Sequence, residues 1–383
     1  MKRLRDPNWV LIFCFVAILA AAPLVQTIIE ATGDEGVVAL ELFGERPTAE
    51  NLRAFEHKLE AGNWAARVSR PWLQFAHFAW LKEGGEKAVV APEGWYFFKP
   101  GLKYMLARPE AAYHTTNDPV GAIVDFRNQL AARGIHLLVV PVPNKDSIYP
   151  DRLTSRARVP QGILAPRTRE VFRRLRASGV EVVDLFKEFT EARQRSGSSG
   201  DAQLYLAQDT HWSPAGVSIA ARTVAQRLAE LGWIQSGQTQ YNERVAPVQR
   251  LGDIVRMLQT PQIERRITPE TVECAQVLRE HDGKPYQDEP SAQVLVLGDS
   301  FMRIYQQDIP TSAGFIARLA RELKQPMLSI VNDGGGATLV REELCSRPIF
   351  LKNIKVVVWE FVERDIGLGV KGWLRTPLPI DKK

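Results

Sequence analysis

The longest apolar stretch of the chain covers residues 10–29 and is interrupted only by Gln26 and the neighbouring Thr27. Twenty helical residues rise about 30 Å, the thickness of a bilayer's hydrocarbon core, so the pattern predicts one membrane-spanning helix. The polar and charged residues that follow, up to Pro47, predict a stalk. A helix starting near Thr48 comes next, with Leu52, Phe55 and Leu59 on one face. Residues 64–81 are rich in aromatics and are expected to be core, the alternative being a surface lying against a membrane or a partner.

Beyond residue 117, short apolar runs that do not alternate are separated by amphipathic segments. Residues 135–142, 180–185, 294–297, 327–331 and 355–361 predict strands. Residues 118–134, 167–178, 214–231 and 313–323 predict helices, the third with Ser213 as N-cap and Pro214 in its first turn. Strands apolar on both sides need cover on both faces, which implies an α/β fold with a doubly wound parallel sheet. Ligands of such sheets lie beyond the carboxyl ends of the strands. Gly298-Asp299-Ser300 and Asn332-Asp333-Gly334-Gly335-Gly336 fall there. Residues 232–290 have weak periodicity and are expected to form a long irregular insertion. The expected division is an anchor over 1–30, a stalk over 31–47, an α/β domain over 48–370 and a tail over 371–383.

Composition adds limits rather than a class. Apolar content of 45% and charged content of 24% are those of an ordinary globular protein. A net charge of +5 spread over 383 residues, with no basic run, leaves no nucleic-acid footprint. Charge around the first helix is more informative. Lys2, Arg3 and Arg5 precede it and Glu30, Asp34 and Glu35 follow it, so the positive-inside rule puts the N-terminus in the cytoplasm and the body outside. Ala20, Ala21 and Ala22 resemble a signal cleavage site, but Pro23 would then lead the mature chain and the apolar run continues, so an uncleaved signal anchor is expected. Cys274 and Cys345 would share an oxidising compartment, and both a disulfide and two separate thiols stay open.

The chemistry rests on three residues. Ser300 follows a buried strand and a glycine, a turn that lifts its hydroxyl off the sheet and frees backbone N–H groups for a developing oxyanion. Asp209 and His211 stand two apart just before a helix cap, where a turn lets the carboxylate reach the imidazole. Helix capping is the bland alternative for both motifs. A metal site at Asp209 and His211 lacks a third ligand nearby in sequence, and no metal or cofactor is expected.

The order Asp209-Thr210-His211-Trp212-Ser213-Pro214-x-Gly216, with Gly298-Asp299-Ser300-Phe301 about ninety residues on, resembles the AlgJ- and AlgX-like polysaccharide O-acetyltransferases, built on an SGNH-hydrolase-like domain. Gly94-Trp95-Tyr96-Phe97, Pro143-Asn144-Lys145 ahead of Ile148-Tyr149-Pro150, and Val358-Trp359-Glu360-Phe361 ahead of Glu363-Arg364 are similar too, so the resemblance covers residues 48–365. It implies Ser300 as the acetyl-accepting nucleophile, His211 as its base and Asp209 as the orienting acid. It also implies an exported polysaccharide as acceptor, an integral membrane O-acyltransferase as donor, and a single-pass inner-membrane protein with its catalytic domain in the periplasm. The usual Gly-x-Asn-Asp of SGNH hydrolases is missing, which leaves Asn332 and Gly335 as candidate oxyanion donors. Lys145 is a candidate for touching an anionic sugar, or else braces a loop. Arg364 is expected to pair with Glu360 or Glu363, and Trp95 and Trp212 to be packed. An SGNH-type carbohydrate esterase and a non-catalytic subunit of an export complex are the alternatives. No separate glycan-binding module is expected after residue 365.

Overall fold

Two sets of side chains alternate along the buried strands, each packed under its own layer of helices. The computed structural model describes residues 7–33, 36–42, 44, 46, 48–107, 117–196, 203–369 and 371–379. Lys2, Arg3, Arg5, Asp34 and Glu35, on which the expected orientation of the anchor depends, lie outside them, as do residues 380–383 of the tail. The chain divides into two compact units, one up to Lys82 together with Gln259–Ile263, the other made of Glu83–Leu258 and Glu264–Lys383.

The first unit is helical. Its opening helix, Pro7–Thr32, contains a 24-residue stretch, Trp9–Thr32, long and apolar enough to cross a membrane. Within the expected stalk, Val38–Glu41 is a helical turn tied back by the Val38 N–H, which donates to Glu30 Oε2 at 2.9 Å. Helix Ala49–Gly62 starts at Thr48, whose hydroxyl accepts from the Asn51 N–H at 3.1 Å. Asn63 caps the next helix, Trp64–Ala76, which runs on into the π-turn His77–Leu81. The aromatic segment expected to be core is not: no residue from 64 to 81 is buried. The apolar face of an amphipathic helix becomes core only if another element covers it.

The second unit holds a five-stranded, wholly parallel sheet. Three short strands precede it as a small antiparallel sheet: β1 (Glu83–Gly84), β2 (Ala88–Val90) and β3 (Tyr96–Phe98). The large sheet contains β4 (His136–Val142), β5 (Glu181–Val182), β8 (Val294–Gly298), β9 (Leu328–Val331) and β10 (Val356–Val362), in the order β5-β4-β10-β8-β9. Leu138, Val140, Val296 and Val358 join the core beneath helices Leu185–Ser196, Pro214–Leu231 and Phe315–Leu323. Leu137, Val139, Leu297 and Trp359 join the opposite core beneath helices Pro119–Ala131, Pro166–Ala177 and Leu339–Ser346. Cover on both faces is why these strands read as continuous apolar runs.

Two expectations change, and the pairing of the cysteines, left open, is decided. Strand 180–185 shrinks to Glu181–Val182, because Asp184 accepts from the Lys187 N–H at 3.1 Å and turns the chain into a helix at Leu185. The supposed irregular insertion contains a regular ribbon, β6 (Tyr241–Arg250) paired antiparallel with β7 (Glu270–Arg279) over ten residues. Most of β6 is exposed or half-buried, so its sequence carries no clean alternation. Cys274 is buried, Cys345 half-buried, and both are free thiols.

The chain builds outward from β4 to β5, crosses to β8 and β9, and returns to the centre as β10. The crevice at such a reversal, beyond the carboxyl ends of the strands, is where these sheets bind ligands. Asn144, Ser300, Asn332 and Glu363 all follow strand ends at that rim.

Candidate active site

Ser300 opens a single helical turn, Ser300–Arg303, immediately after β8. Asp299 caps that turn, its Oδ1 accepting from the Phe301 N–H at 2.9 Å, and its own N–H donates to Glu360 Oε2 on β10 at 3.0 Å. Gly298 is required there, because a Cβ would lie 2.6 Å from Glu360 Oε2 and would also meet Met302. Among the described residues no acceptor meets the Ser300 N–H, and Ser300 itself is only half-buried. A reachable hydroxyl beside an unspent N–H is the local geometry that acyl transfer needs.

The Asp209–His211 loop closes on itself through a bridge between Tyr205 and Trp212. Gly216, in the first turn of the following helix, lets that turn press on Trp212 and the Leu204 carbonyl, where a Cβ would clash. Trp212 is buried and packs on Phe301 at 5.3 Å and on Phe315 at 6.0 Å, which fixes the loop beside the Ser300 turn.

The consequence is a continuous chain of hydrogen bonds. His211 Nε2 lies 2.8 Å from Ser300 Oγ, and His211 Nδ1 lies 2.6 Å from Asp209 Oδ1. Asp209 is held well below the usual carboxylate range. Burial pushes it upward, but the adjacent His211 and Arg250 outweigh that. An ionised Asp209 accepts from Nδ1–H, so Nε2 presents its lone pair to the serine hydroxyl. Burial alone would lower the His211 pKa, yet Asp209, with Asp253 behind it, raises it above the free imidazole value. The arrangement can take a proton from Ser300 and hold the resulting imidazolium.

Two residues that the sequence did not point to complete the set. Arg250, the last residue of β6, donates from Nε to Asp209 Oδ2 at 2.9 Å. Asp253 accepts from the Thr210 N–H at 2.6 Å and from its hydroxyl at 2.5 Å, and stands 3.5 Å from His211 Nδ1. The only sequence signal for Asp253 is its place after Gly252 at the start of a short helix, Asp253–Met257. Asp253 is also the third ligand-type group that the sequence lacked beside Asp209 and His211. The Arg250 cation sits directly on the Asp209 carboxylate, where it would repel a metal ion. Arg250 further pairs with Asp308 at 3.1 Å, Asp308 with Arg303 of the Ser300 turn, and Arg303 with Asp333 at 2.8 Å.

The remaining sequence candidates fare differently. Lys145 is buried, and its ammonium donates to the carbonyls of Leu206, Ala207 and Asp209 at 3.0, 3.1 and 2.6 Å. All three protons are used in bracing the His211 loop, so a sugar contact is not available to it. Burial pulls its pKa down to about 8, against the pull of the surrounding carboxylates. The Gly335 N–H donates to the Asn332 carbonyl at 2.9 Å and is likewise taken. Asn332 follows β9, whose last residue, Val331, pairs with Gly298, and its side-chain amide has no partner among the described residues. The Asn332 amide thus stands unspent just past the end of the strand that neighbours β8.

Arg364 does not pair with Glu360 or Glu363. Its guanidinium lies over the rings of Phe98 and Phe301, at 5.1 and 6.0 Å. Glu363 is instead occupied by the Asn144 N–H at 3.0 Å and the hydroxyls of Ser147 and Thr168 at 2.6 and 2.8 Å. Trp95 is buried beside Tyr149, as expected of a packed tryptophan.

Residues 88–363 match the family described as ALGX, the SGNH hydrolase-like domain of the acetyltransferase AlgX. The chain is similar to the probable alginate O-acetylase AlgJ of Azotobacter vinelandii, 24% identical over 321 residues, or 82% of this chain and 76% of that one. Its counterpart from Pseudomonas aeruginosa is 22% identical over 299 residues, 75% of this chain and 72% of the relative. Among solved structures, the O-acetyltransferase domain of Pseudomonas putida AlgJ aligns with a TM-score of 0.58 at 21% identity, covering 73% of this chain and 92% of that one. Pseudomonas aeruginosa AlgX aligns at 0.53 and 18%, covering 72% and 61%. At these identities the solved structures establish a shared fold.

Proposed function

Because the chain belongs to the AlgX family of SGNH hydrolase-like acetyltransferase domains, we propose that it is a polysaccharide O-acetyltransferase that works through an acetyl ester on Ser300. The observation that carries this reading is the 2.8 Å contact between His211 Nε2 and Ser300 Oγ, with Asp209 on the other ring nitrogen.

Ser300 Oγ attacks the acetyl carbonyl of a donor ester while His211 takes its proton, and Asp209 stabilises the imidazolium. The oxyanion forms against the Ser300 N–H and the Asn332 side-chain amide. Collapse expels the donor alcohol, which takes the proton from His211. A sugar hydroxyl then gives its proton to His211, attacks the acetyl-serine, and leaves as the acetylated sugar while the proton returns to Ser300. In this reading the helix Pro7–Thr32 is an uncleaved inner-membrane anchor, and the α/β unit works in the periplasm on an exported polysaccharide. An integral membrane O-acyltransferase supplies the acetyl group, and tethering raises the effective concentration of acceptor enzyme near that donor.

The test is to incubate the full-length protein in detergent with an aryl acetate and with uronic-acid or neutral oligosaccharides, and to weigh the sugars by mass spectrometry. The expected result is an acetylated oligosaccharide that disappears in Ser300→Ala. Acetate release without any acetylated sugar would point to an esterase. Unchanged polysaccharide acetylation in cells carrying Ser300→Ala would point to a scaffold.

A further inference from the structure

Gln26 and Thr27 are the polar interruptions of the apolar run 10–29; the Thr27 hydroxyl bonds within its own helix, and the Gln26 side chain reaches out of it. Its Nε2 donates to the carbonyl of Gly62 at 3.0 Å and its Oε1 accepts from the N–H of Trp64 at 2.6 Å. Those two residues flank the corner where helix Ala49–Gly62 gives way to helix Trp64–Ala76. Gln26 stands six residues before Thr32, about 9 Å below the outer end of the 24-residue stretch, which itself exceeds the hydrocarbon thickness by only about 6 Å. The corner is therefore pinned within roughly one helical turn of the boundary between hydrocarbon and headgroups. An amide at that depth is costly unless its hydrogen bonds are made, which gives the contact its strength.

The helix that leaves this corner has the composition of a membrane-surface helix. Trp64, Val68 and Trp72 recur every four residues and form one exposed stripe, with Trp72 61% accessible. Arg67 and Arg70 fall about 100° and 160° away from the centre of that stripe. Past the helix, Trp80 is 83% accessible and Leu81 is exposed. Tryptophan on one face and arginine on the other, with the first residue held at interface depth, fit a helix lying in the headgroup layer.

We infer that residues 64–81 form a second membrane contact, an interfacial helix whose Trp64, Trp72 and Trp80 side chains enter the outer headgroup layer next to the anchor. This rests on the reading of Pro7–Thr32 as an uncleaved membrane anchor. Its chemical partner is the lipid surface itself, with anionic phosphatidylglycerol favoured by Arg67 and Arg70. The contact would hold the segment that leads into the α/β unit flat on the membrane, rather than leaving it on a free tether.

The test is tryptophan quenching of the full-length protein in phosphatidylcholine and phosphatidylglycerol vesicles whose acyl chains carry bromine close to the headgroup. The Trp72→Phe, Trp80→Phe double variant keeps the apolar face and removes two reporters. Wild-type fluorescence should be quenched more than that of the variant, and the difference should vanish in unbrominated vesicles. Trp9, at the other end of the anchor, is the internal control, isolated by Trp9→Phe. A quenched Trp9 with no bromine-dependent difference between wild type and double variant overturns the interfacial helix while keeping the anchor. An unquenched Trp9 overturns the anchor, and the interfacial helix with it. Single Trp80→Phe and Trp72→Phe variants guard against a double variant that fails to fold.

Discussion

Arg250 and Glu270 face each other as cross-strand partners at one end of the β6–β7 ribbon, and both reach the loop that carries His211. Arg250 holds Asp209, while the Glu270 carboxylate accepts from the N–H groups of Ala207 and Gln208, each at 2.8 Å. A cation and an anion on neighbouring strands thus grip the same five residues from two sides. Asp253, three residues past the ribbon strand, adds a third grip through Thr210. The orientation of the imidazole is set by this ribbon as well as by the sheet.

Opposite charges around one imidazole predict opposite shifts in the pH profile. His211 has its pKa raised, with Asp253 among the groups that raise it and Arg250 among those that lower it. A general base works when neutral, so the ascending limb of kcat/KM should have its midpoint above about 6.5, the free imidazole value. Asp253→Asn should move that midpoint to lower pH and Arg250→Met to higher pH. Movement of both variants in the same direction would show that geometry, not charge, dominates.

Lys145→Met should cost about 2–4 kcal/mol of stability, because it strands three buried carbonyls that the ammonium now satisfies. Activity should fall further than unfolding alone explains, since the released residues include Asp209. Chemical denaturation alongside single-turnover kinetics separates the two effects.

Asp146 is buried, with Oδ2 unpartnered, and burial together with Glu363 pushes its pKa up to about 7. Its folded value lies above its unfolded one, so the stability it contributes is full below about pH 4 and is lost as pH rises through 7. Asp146→Asn removes that loss. The variant should gain on the wild type by about 2–3 kcal/mol between pH 5 and pH 8. A constant difference across that range, measured by thermal unfolding in matched buffers, would show that Asp146 titrates normally.

Gly298→Ala inserts a Cβ against Glu360 and Met302 at the base of the Ser300 turn. Overpacking at a buried site costs about 1–3 kcal/mol. The same push lifts the Asp299 N–H from Glu360, so Ser300 should lose reactivity toward an aryl acetate by about tenfold or more. Unchanged reactivity in Gly298→Ala would show that the Met302 and Glu360 side chains give way and leave the turn in place.

The parts legible in sequence were those whose burial is two-sided or whose ends carry caps. Val296 and Leu297 point to opposite cores and read as one apolar run, and Ser213 with Pro214 marks the start of its helix at the residue observed. Asp209, His211 and Ser300 stood out because short motifs frame them. Arg250 and Asp253 did not, since a half-exposed ribbon gives no alternation and an arginine at its end looks like any solvated charge. The aromatic run 64–81 misled for a related reason. Apolar periodicity reports that a face must be covered and is silent on whether protein or lipid covers it.

The ribbon is a separate two-stranded sheet, outside the parallel one that carries Ser300. The groups that set the charge around His211 and the turn that presents Ser300 are therefore lodged in different structural modules. Under the proposed function, substitutions along the hairpin would retune the working pH while the serine's own scaffold stays untouched.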